Sequence, residues 1–132
     1  MKQITIVAPR EEGVIARISQ TLGEAKINIA SLDAVDVKDL DVILLTVDDR
    51  YNDALHALCA AGFDAVTEDA VVIRLKDEPG SLAKVTQRLF DAGIHVRSIR
   101  ILQRQQGEGV VALSVDRSSE ALALIQDLLI AT

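Results

Sequence analysis

The chain has 132 residues, which allows one ordinary domain or two very small ones packed together. Apolar residues make up 49% and aromatic residues only 2%, so any core is built from Ile, Val, Leu and Ala. Fourteen basic and 20 acidic residues give a net charge of −6, which argues against a nucleic acid partner because phosphates require a basic footprint. No apolar run reaches the roughly 18 residues that span a bilayer, and no signal peptide is recognisable. We therefore expect a cytoplasmic protein with no membrane partner.

The single cysteine, Cys59, excludes an internal disulfide and a cysteine-based metal cluster. It lies among small apolar residues in LHALCAAG, so we expect a buried, unreactive thiol. Two distant histidines and one cysteine do not form a metal-ligand set. The motifs GxSxG, GxxxxGK[ST], HExxH and GxGxxG do not occur. We expect no metal, no cofactor and no enzymatic activity.

The first half of the chain predicts the element order βαββαβ. Its strands and helices are predicted, in chain order, at 4–8, 14–25, 27–37, 42–47, 51–61 and 63–68. The run VILLTV at 42–47 is apolar throughout, as expected of a central strand. In the first helix, Ile15 and Ile18 are expected on the buried face. Asp48 or Asp49 is expected to cap the second helix.

The second half repeats the first at a shift of 67 residues. The matching pairs are Ile6 and Ile73, Gly13 and Gly80, Ala16 and Ala83, Gln20 and Gln87, Leu22 and Leu89, Ala25 and Ala92, Ile27 and Ile94, and Ser31 and Ser98. These matches are in phase with the apolar face of a helix, and so many within one stretch indicate a true repeat. The sequence therefore predicts two units, at residues 1–69 and 70–132.

The second unit is expected to lack the closing strand of the first. Its last helix, capped by Ser118 or Ser119, is predicted to bury Leu122, Ile125 and Leu129, and nothing after it matches FDAVTE at 63–68. In a βαββαβ fold the last strand borders the first, so its absence leaves the strand at 71–76 on a bare sheet edge. Such an edge needs cover, which the first unit or a second chain could provide, and we expect a homodimer.

The stretch KDEPGSLAKVTQRLFDAGIHVRSI at 76–99 contains a helix start suited to an anion. Pro79 fixes its own φ and Gly80 lets the backbone approach closely. The amides of Gly80, Ser81 and Leu82 are expected to be free at the positive end of the helix dipole, where a carboxylate is favoured. Taken alone, the motif is better explained as an ordinary Pro-Gly helix start, because such starts are common.

DEPGSLAKV at 77–85 and GIHVRSI at 93–99, at these places in the predicted units, resemble the ACT domain family. That family consists of small ferredoxin-like regulatory modules that bind amino acids at interfaces between paired modules. The resemblance covers residues 3–130 and is sharpest in the second unit, since the first has Glu12 and Lys26 where Pro and Gly are expected. It implies an α+β fold of two tandem ferredoxin-like ACT units, the second lacking its last strand, with antiparallel sheets and helices on one face.

In the ACT family, ligands lie between the loop after the first strand and the start of the second strand. In the second unit the resemblance implies ligand contacts from Asp77, Glu78, Gly80, Ser81, Leu82, His95, Val96 and Arg97. In the first unit it implies contacts from Arg10, Gly13, Val14, Ile15, Asn28 and Ile29. The two sites differ in charge, because Arg10 and Asp77 stand at matching positions.

The main site is expected where the loop at 77–82 faces His95. The amides and the Ser81 hydroxyl suit the carboxylate of an amino acid, and Asp77 suits its ammonium group. We therefore interpret the chain as a non-catalytic regulatory protein that binds an amino acid at an interface between ACT units. The alternative is an oligomerisation or protein-interaction module with a vestigial pocket. Arg97, Arg100 and Arg104 form a basic run that suits a solvated strand face or a dimer edge, or else the attraction of an anionic ligand or partner.

Overall fold

A computed structural model describes residues 2 to 130 of the protein. It consists of two compact units, Met1–Glu68 and Asp69–Thr132, each with its own sheet and its own core. The division falls one residue before the boundary predicted from the repeat. Within residues 2–130, no helix is long and apolar enough to cross a membrane.

The first unit has the predicted element order βαββαβ. Its elements are β1 (Gln3–Pro9), α1 (Val14–Glu24), β2 (Ile29–Val37), β3 (Leu40–Val47), α2 (Tyr51–Ala60) and β4 (Asp64–Val66). The four strands form an antiparallel sheet in the order β2-β3-β1-β4. The chain changes from helix to strand where the period of its apolar residues changes from helical to alternating.

One face of this sheet packs against both helices. Alternate residues of β1 and β3 point toward α1 and α2, so Ile6 and Leu45 are fully buried together with Ile18. The helix contributes Val14, Ile18 and Leu22 to the core. The prediction that Ile15 is buried is wrong: its side chain is 45% exposed, because Val14 occupies the core-facing position of the first turn.

The second unit repeats most of this arrangement. Its elements are β5 (Ala70–Lys76), α3 (Ser81–Asp91), β6 (Val96–Gln105), β7 (Glu108–Val115), α4 (Ser118–Leu124) and a 3₁₀ turn (Gln126–Leu128). The three strands form an antiparallel sheet in the order β5-β7-β6. Its core joins Ile73 and Leu113 to Leu89 of α3 and Ile125 after α4. Leu122, predicted to be buried, is 41% exposed, because Ala121 and Ile125 are the core-facing residues there.

The outer edge of β5 is covered near Val72 and Ile73, which corrects in part the expectation of a bare edge. Leu129 forms an isolated antiparallel bridge with Ile73, and the Ile130 amide donates to the Val72 carbonyl at 3.1 Å. Since α4 has 7 residues and α2 has 10, the chain returns to this edge after a shorter helix. Among the described strands, β6 is the edge strand on the other side of the sheet.

A pair of equivalent arginines holds the end of the first helix in each unit. Arg50 has a left-handed φ of 58° and donates through Nη1 to the carbonyls of Ala25 and Lys26, at 3.2 and 3.3 Å. Arg117, 67 residues later, donates in the same way to the carbonyls of Ala92 and Gly93. These arginines also stand at the N-cap positions of α2 and α4 without a side-chain cap bond. The expected acidic and serine caps are therefore wrong.

Candidate functional site

The loop between β5 and α3 has the geometry that its Pro-Gly sequence requires. Gly80 lies at the N-cap of α3 with φ 88° and ψ −14°, a left-handed conformation that glycine adopts without strain. The Ser81 amide donates to the Glu78 carbonyl at 3.3 Å, so this predicted donor is engaged. The amides of Leu82 and Ala83, in the first turn, have no carbonyl within the helix to donate to.

A small cleft lies at this first turn of α3. Its volume is ≈ 70 Å³, and it is lined by Leu75, Lys76, Asp77, Glu78, Ser81, Leu82, Ile101, Arg104, Gly109 and Val111. The side chains of Asp77 and Arg104 meet across it with an Oδ1–Nε distance of 3.7 Å, while being 45% and 61% exposed. The cleft thus combines a carboxylate, a guanidinium and an apolar floor. Charges this exposed form a weak pair that another ion can separate.

The start of β6 lines a second and larger cleft, at the other end of α3. Its volume is ≈ 340 Å³, and it is lined by Thr86, Phe90, Gly93, Ile94, His95 and Val96. The His95 amide donates to Asp116 Oδ1 at 3.0 Å, which fixes the backbone where β6 begins. Phe90 is 74% exposed, an unusual position for a large aromatic ring.

Within the second unit the structure does not bring the two halves of the predicted site together. Asp77, Glu78, Ser81 and Leu82 line the cleft at the first turn of α3. His95 and Val96 line the cleft at its last turn. Arg97 is exposed on β6 and lines neither cleft. The reason is topological: β6 begins where α3 ends, and therefore starts at the far end of the unit from the loop after β5.

The corresponding loop of the first unit is less suited to a ligand. Gly13 repeats the left-handed N-cap, with φ 82°, but the next residue, Val14, is only 3% exposed and belongs to the core. This removes the Val14 side chain from the predicted contacts. Ile15 is exposed at the first turn of α1, while Asn28 is exposed and Ile29 half-buried at the start of β2. The Asn28 carbonyl accepts a hydrogen bond from the Asp48 amide at 3.2 Å.

Arg10 is held by the β2–β3 hairpin. Its Nη2 donates to the Lys38 carbonyl, and its backbone amide donates to the Asp39 carbonyl at 3.0 Å. The guanidinium also lies 3.9 Å from Asp36 and 3.8 Å from Asp41. Arg10, which the resemblance implies as a ligand contact, is thus tied to its own unit.

In each unit, the loop after the first strand is bound to the hairpin formed by the next two strands. The charged side chains that make this contact have opposite signs in the two units. In the second unit the Asp77 amide donates to the Gly107 carbonyl at 2.8 Å, as the Arg10 amide does to Asp39. Asp77 then pairs with Arg104, where the first unit pairs Arg10 with Asp36. Arg104 stands opposite Gly109 in its hairpin, and Asp36 stands opposite Asp41 at the matching place. The difference in charge predicted between the two loops therefore extends to their hairpin partners.

In the first unit, two carboxylates lie beside the contact between Arg10 and the β2–β3 hairpin. Asp41 faces Asp36 across the hairpin and has only 18% of its side chain exposed. Burial raises the pKa of Asp41 above its usual value, and the neighbouring Asp36 adds to the increase, while Arg10 opposes it. A raised pKa in the folded state stabilises the fold at low pH, and this contribution is lost as the pH rises through the folded pKa.

We expect Asp41→Asn to raise the stability of the first unit at pH 7 by about 0.2–1 kcal/mol, because the change removes a like-charge pair facing across the hairpin. The gain should shrink as the pH is lowered toward the ordinary aspartate value of 3.8, where the native carboxyl is itself protonated. Urea unfolding at pH 7 and pH 4 measures both effects. Asp39→Asn in the adjacent turn is the control. A variant less stable than the native chain at pH 7 would contradict the prediction.

A third cleft, in the first unit, contains none of the predicted residues. Its volume is ≈ 530 Å³, and it is lined by Arg17, Gln20, Thr21, Glu24, Ala61, Gly62 and Phe63. The Arg17 guanidinium lies 5.1 Å from the centre of the Phe63 ring and 4.0 Å from a Glu11 oxygen. Arg17 is therefore already occupied by a cation–π contact and an ion pair.

Two features of site chemistry differ from the sequence-based expectations or were missed by them. Cys59 is exposed on α2, where its thiol lies 3.6 Å from the Ala65 carbonyl, so the expected burial is wrong. Arg104 lines the cleft at the start of α3 but was predicted only as part of a basic run. The repeat alone would not have found it, since a shift of 67 from Asp36 leads to Gln103, and the irregularity between Ile101 and Gln103 in β6 moves the match to Arg104. Within residues 2–130, no three His, Cys, Asp or Glu side chains are grouped to hold a metal ion.

No protein-family model and no curated protein matches this chain. Among solved structures, it is similar to a protein from Bacteroides thetaiotaomicron, with 21% identity, TM-score 0.47, and coverage of 96% of this chain and 86% of that one. It is similar to the ligand-free regulatory subunit of aspartate kinase from Thermus thermophilus, with 21% identity, TM-score 0.45, and coverage of 96% and 91%. The acetolactate synthase small subunit from Thermotoga maritima matches with 13% identity, TM-score 0.41, and coverage of 99% and 89%.

The described residues form an α+β fold of the ferredoxin-like type. The first unit has four antiparallel strands in the order β2-β3-β1-β4 with both helices on one face, and the second repeats its β1-β3-β2 portion as β5-β7-β6. The predicted α+β class, with ferredoxin-like units and antiparallel sheets, is therefore confirmed.

Proposed function

We propose that this chain is a non-catalytic, cytoplasmic regulatory protein that binds a small amino acid at an interface between ACT units of two copies. The observation that carries the proposal is the cleft at the start of α3. It offers Arg104 and the first-turn amides to a carboxylate, and Asp77 to an ammonium group, about the apolar side chains of Leu82 and Ile101. An amino acid has this same combination of groups.

The size of the cleft supports a site completed by another chain. A volume of ≈ 70 Å³ is well below the roughly 300 Å³ at which small-molecule sites usually begin. The missing wall would come from a strand added at the β6 edge, beside which Ile101 and Arg104 already lie. In an antiparallel pair of edge strands, the start of one strand lies beside the end of the other. The start of an edge strand in a second molecule, the kind of position that His95 occupies before β6, would then face the loop at 77–82.

A thermal-shift screen against the twenty common amino acids tests this function. A ligand present at about ten times its dissociation constant adds roughly 1.4 kcal/mol to the stability of the native state. We expect one or a few small amino acids to raise the melting temperature. With that ligand, Asp77→Asn and Arg104→Gln should reduce the shift, because each removes one charged contact.

Cys59→Ser is the control, since Cys59 lies in the other unit and lines none of the three clefts described. An unchanged melting temperature with every amino acid at millimolar concentration would reject the function. An undiminished shift in both Asp77→Asn and Arg104→Gln would reject the site.

One observation favours the alternative, a protein-interaction module with a vestigial pocket. In the first unit the loop that corresponds to the candidate site is filled by Arg10, which binds the Lys38 carbonyl and lies near two carboxylates. If both loops had lost their ligand, the edge strands would be the remaining functional surface, and the screen above would give no shift.

A further inference from the structure

The two units cover the outer edge of their first strand in different ways. In the first unit, β4 pairs with β1 over three consecutive residues. In the second, Leu129 bridges to Ile73, and the adjacent Ile130 amide donates to the Val72 carbonyl. We call residues 126–130, which begin with the 3₁₀ turn, the strap. The strap replaces a closing strand with an isolated bridge instead of a ladder, so its backbone is fixed at fewer points.

The strap is short because the chain reaches the sheet three residues sooner than it does in the first unit. Leu58 and Ile125 are repeat partners, and each is fully buried in the core of its unit. Ala65, which stands opposite Ile6, follows Leu58 by 7 residues, whereas Leu129 follows Ile125 by only four. The same difference separates the lengths of α2 and α4, which have 10 and 7 residues. The chain therefore arrives at β5 directly from the end of α4.

An arginine on α3 holds the strap at its 3₁₀ turn. Arg88 donates through Nη2 to the Leu124 carbonyl at 2.7 Å and to Asp127 Oδ1 at 3.0 Å. Its Nη1 lies 3.4 Å from Asp127 Oδ2, so the guanidinium faces both oxygens of the carboxylate. The side chains of Arg88 and Asp127 are 39% and 63% exposed. A fork of this kind fixes orientation, but charges this exposed contribute little energy and are screened by salt.

The first unit holds its closing strand by apolar burial instead. Thr21 is the repeat partner of Arg88, and its hydroxyl donates to a carbonyl of its own helix. The chain before β4 is anchored by Phe63, which is 8% exposed and belongs to the core. In the strap, Leu128 and Leu129 are only half-buried against the core of the second unit. The cover of the second unit therefore depends more on charge than the cover of the first.

We infer that the strap is a releasable guard of the β5 edge, latched to α3 by Arg88. It opens and closes while the core of the second unit stays folded, and ionic strength sets how often it opens. In the open state the Val72 carbonyl loses its donor, and β5 can accept another strand. Opening removes Ile130 from a position where it is 8% exposed, which keeps the open state rare. The inference goes beyond the proposed ligand function and does not depend on it.

Hydrogen exchange of single amides, followed by NMR, tests the guard in the whole chain. The Ile130 amide should exchange faster than the amides that join β5 to β7, at a rate that low urea does not change, because local opening exposes little surface. Arg88→Met, which keeps the aliphatic stem and removes the donors, should accelerate Ile130 exchange about three- to tenfold. Raising the salt from about 50 to about 500 mM should accelerate it about two- to threefold in the native chain and leave Arg88→Met unchanged.

Lys84→Met is the matched control, because Lys84 is an exposed cation one turn earlier on α3 and its replacement changes the net charge equally. It should leave Ile130 exchange at the native rate. Asp127→Asn tests the same contact from the strap, on an exposed side chain outside both helices. In the double variant Arg88→Met/Asp127→Asn, Ile130 should exchange as fast as in Arg88→Met, because the two changes remove one shared contact.

Three results would overturn the inference. Ile130 exchange as slow and as urea-dependent as that of the β5–β7 amides would show that the strap opens only when the unit unfolds. An equal rate in Arg88→Met and Lys84→Met would show that Arg88 is not a latch. Light scattering at equal protein concentration tests the guarding role: Arg88→Met should self-associate faster than Lys84→Met, because it exposes the β5 edge more often. Equal rates of association would reject that role.

Discussion

Leu89→Ala is expected to lower the free energy of unfolding of the second unit by about 2–5 kcal/mol. The Leu89 side chain is fully buried between α3 and the sheet, where it packs in a cluster with Ile73 and Leu113. Truncation removes buried methyl groups and leaves a cavity that the surrounding close-packed side chains fill only in part. For a unit of this size, such a loss is a large fraction of the total stability.

Leu22→Ala is the matched variant, because Leu22 is the repeat partner of Leu89 and is equally buried in the core of the first unit. Hydrogen exchange followed by mass spectrometry on peptides from each unit separates the two effects. Amides of β5 and β7 should lose protection first in Leu89→Ala, and amides of β1 and β3 first in Leu22→Ala. Equal loss in both units from either variant would contradict the assignment of a separate core to each.

Gly80→Ala is expected to destabilise the second unit by about 1–2 kcal/mol, the cost of placing an L-residue in a left-handed conformation. Gly80 has φ 88°, and a Cβ built there meets no atom within 4 Å. The loss therefore measures backbone strain alone, without a steric clash. It should also weaken any ligand that binds at the start of α3, since the loop would relax away from its native conformation.

The same substitution elsewhere should have the opposite effect. Gly23 lies inside α1 without a positive φ, and its Cβ would also meet open space, so Gly23→Ala should stabilise the first unit by about 0.5–1 kcal/mol. Gly80→Asn should cost less than Gly80→Ala, because asparagine tolerates the left-handed region better. Urea unfolding measures all three variants. Stabilisation by Gly80→Ala would show that the loop does not hold the conformation described.

Much of the fold is predictable from local sequence, because its elements differ sharply in period and the repeat allows one unit to check the other. The helix at 14–25 and the strand at 42–47 were placed within two residues of α1 and β3. What failed depended on contacts distant in sequence. Arg50 adopts its left-handed φ while its side chain binds carbonyls at the end of α1, 24 and 25 residues away. No local cap rule anticipates such a residue.

The site was predicted less completely than the fold. The sequence identifies the loop at 77–82 and the strand start at His95, but strand direction decides which end of the unit each one occupies. The same holds for the outer edge of β5, which Leu129 reaches after the short α4. Both outcomes follow from topology, which periodicity alone does not determine.

The opposite charges that tie each loop to its hairpin have a consequence for folding. A chain with two similar halves can misassemble when an element of one half docks on the body of the other. Here a hairpin from the first unit placed on the loop of the second would set Asp36 beside Asp77. A hairpin from the second unit placed on the first loop would set Arg104 beside Arg10. Only the native combination pairs unlike charges at both loops, so we expect these charges to favour the docking of each half on its own hairpin.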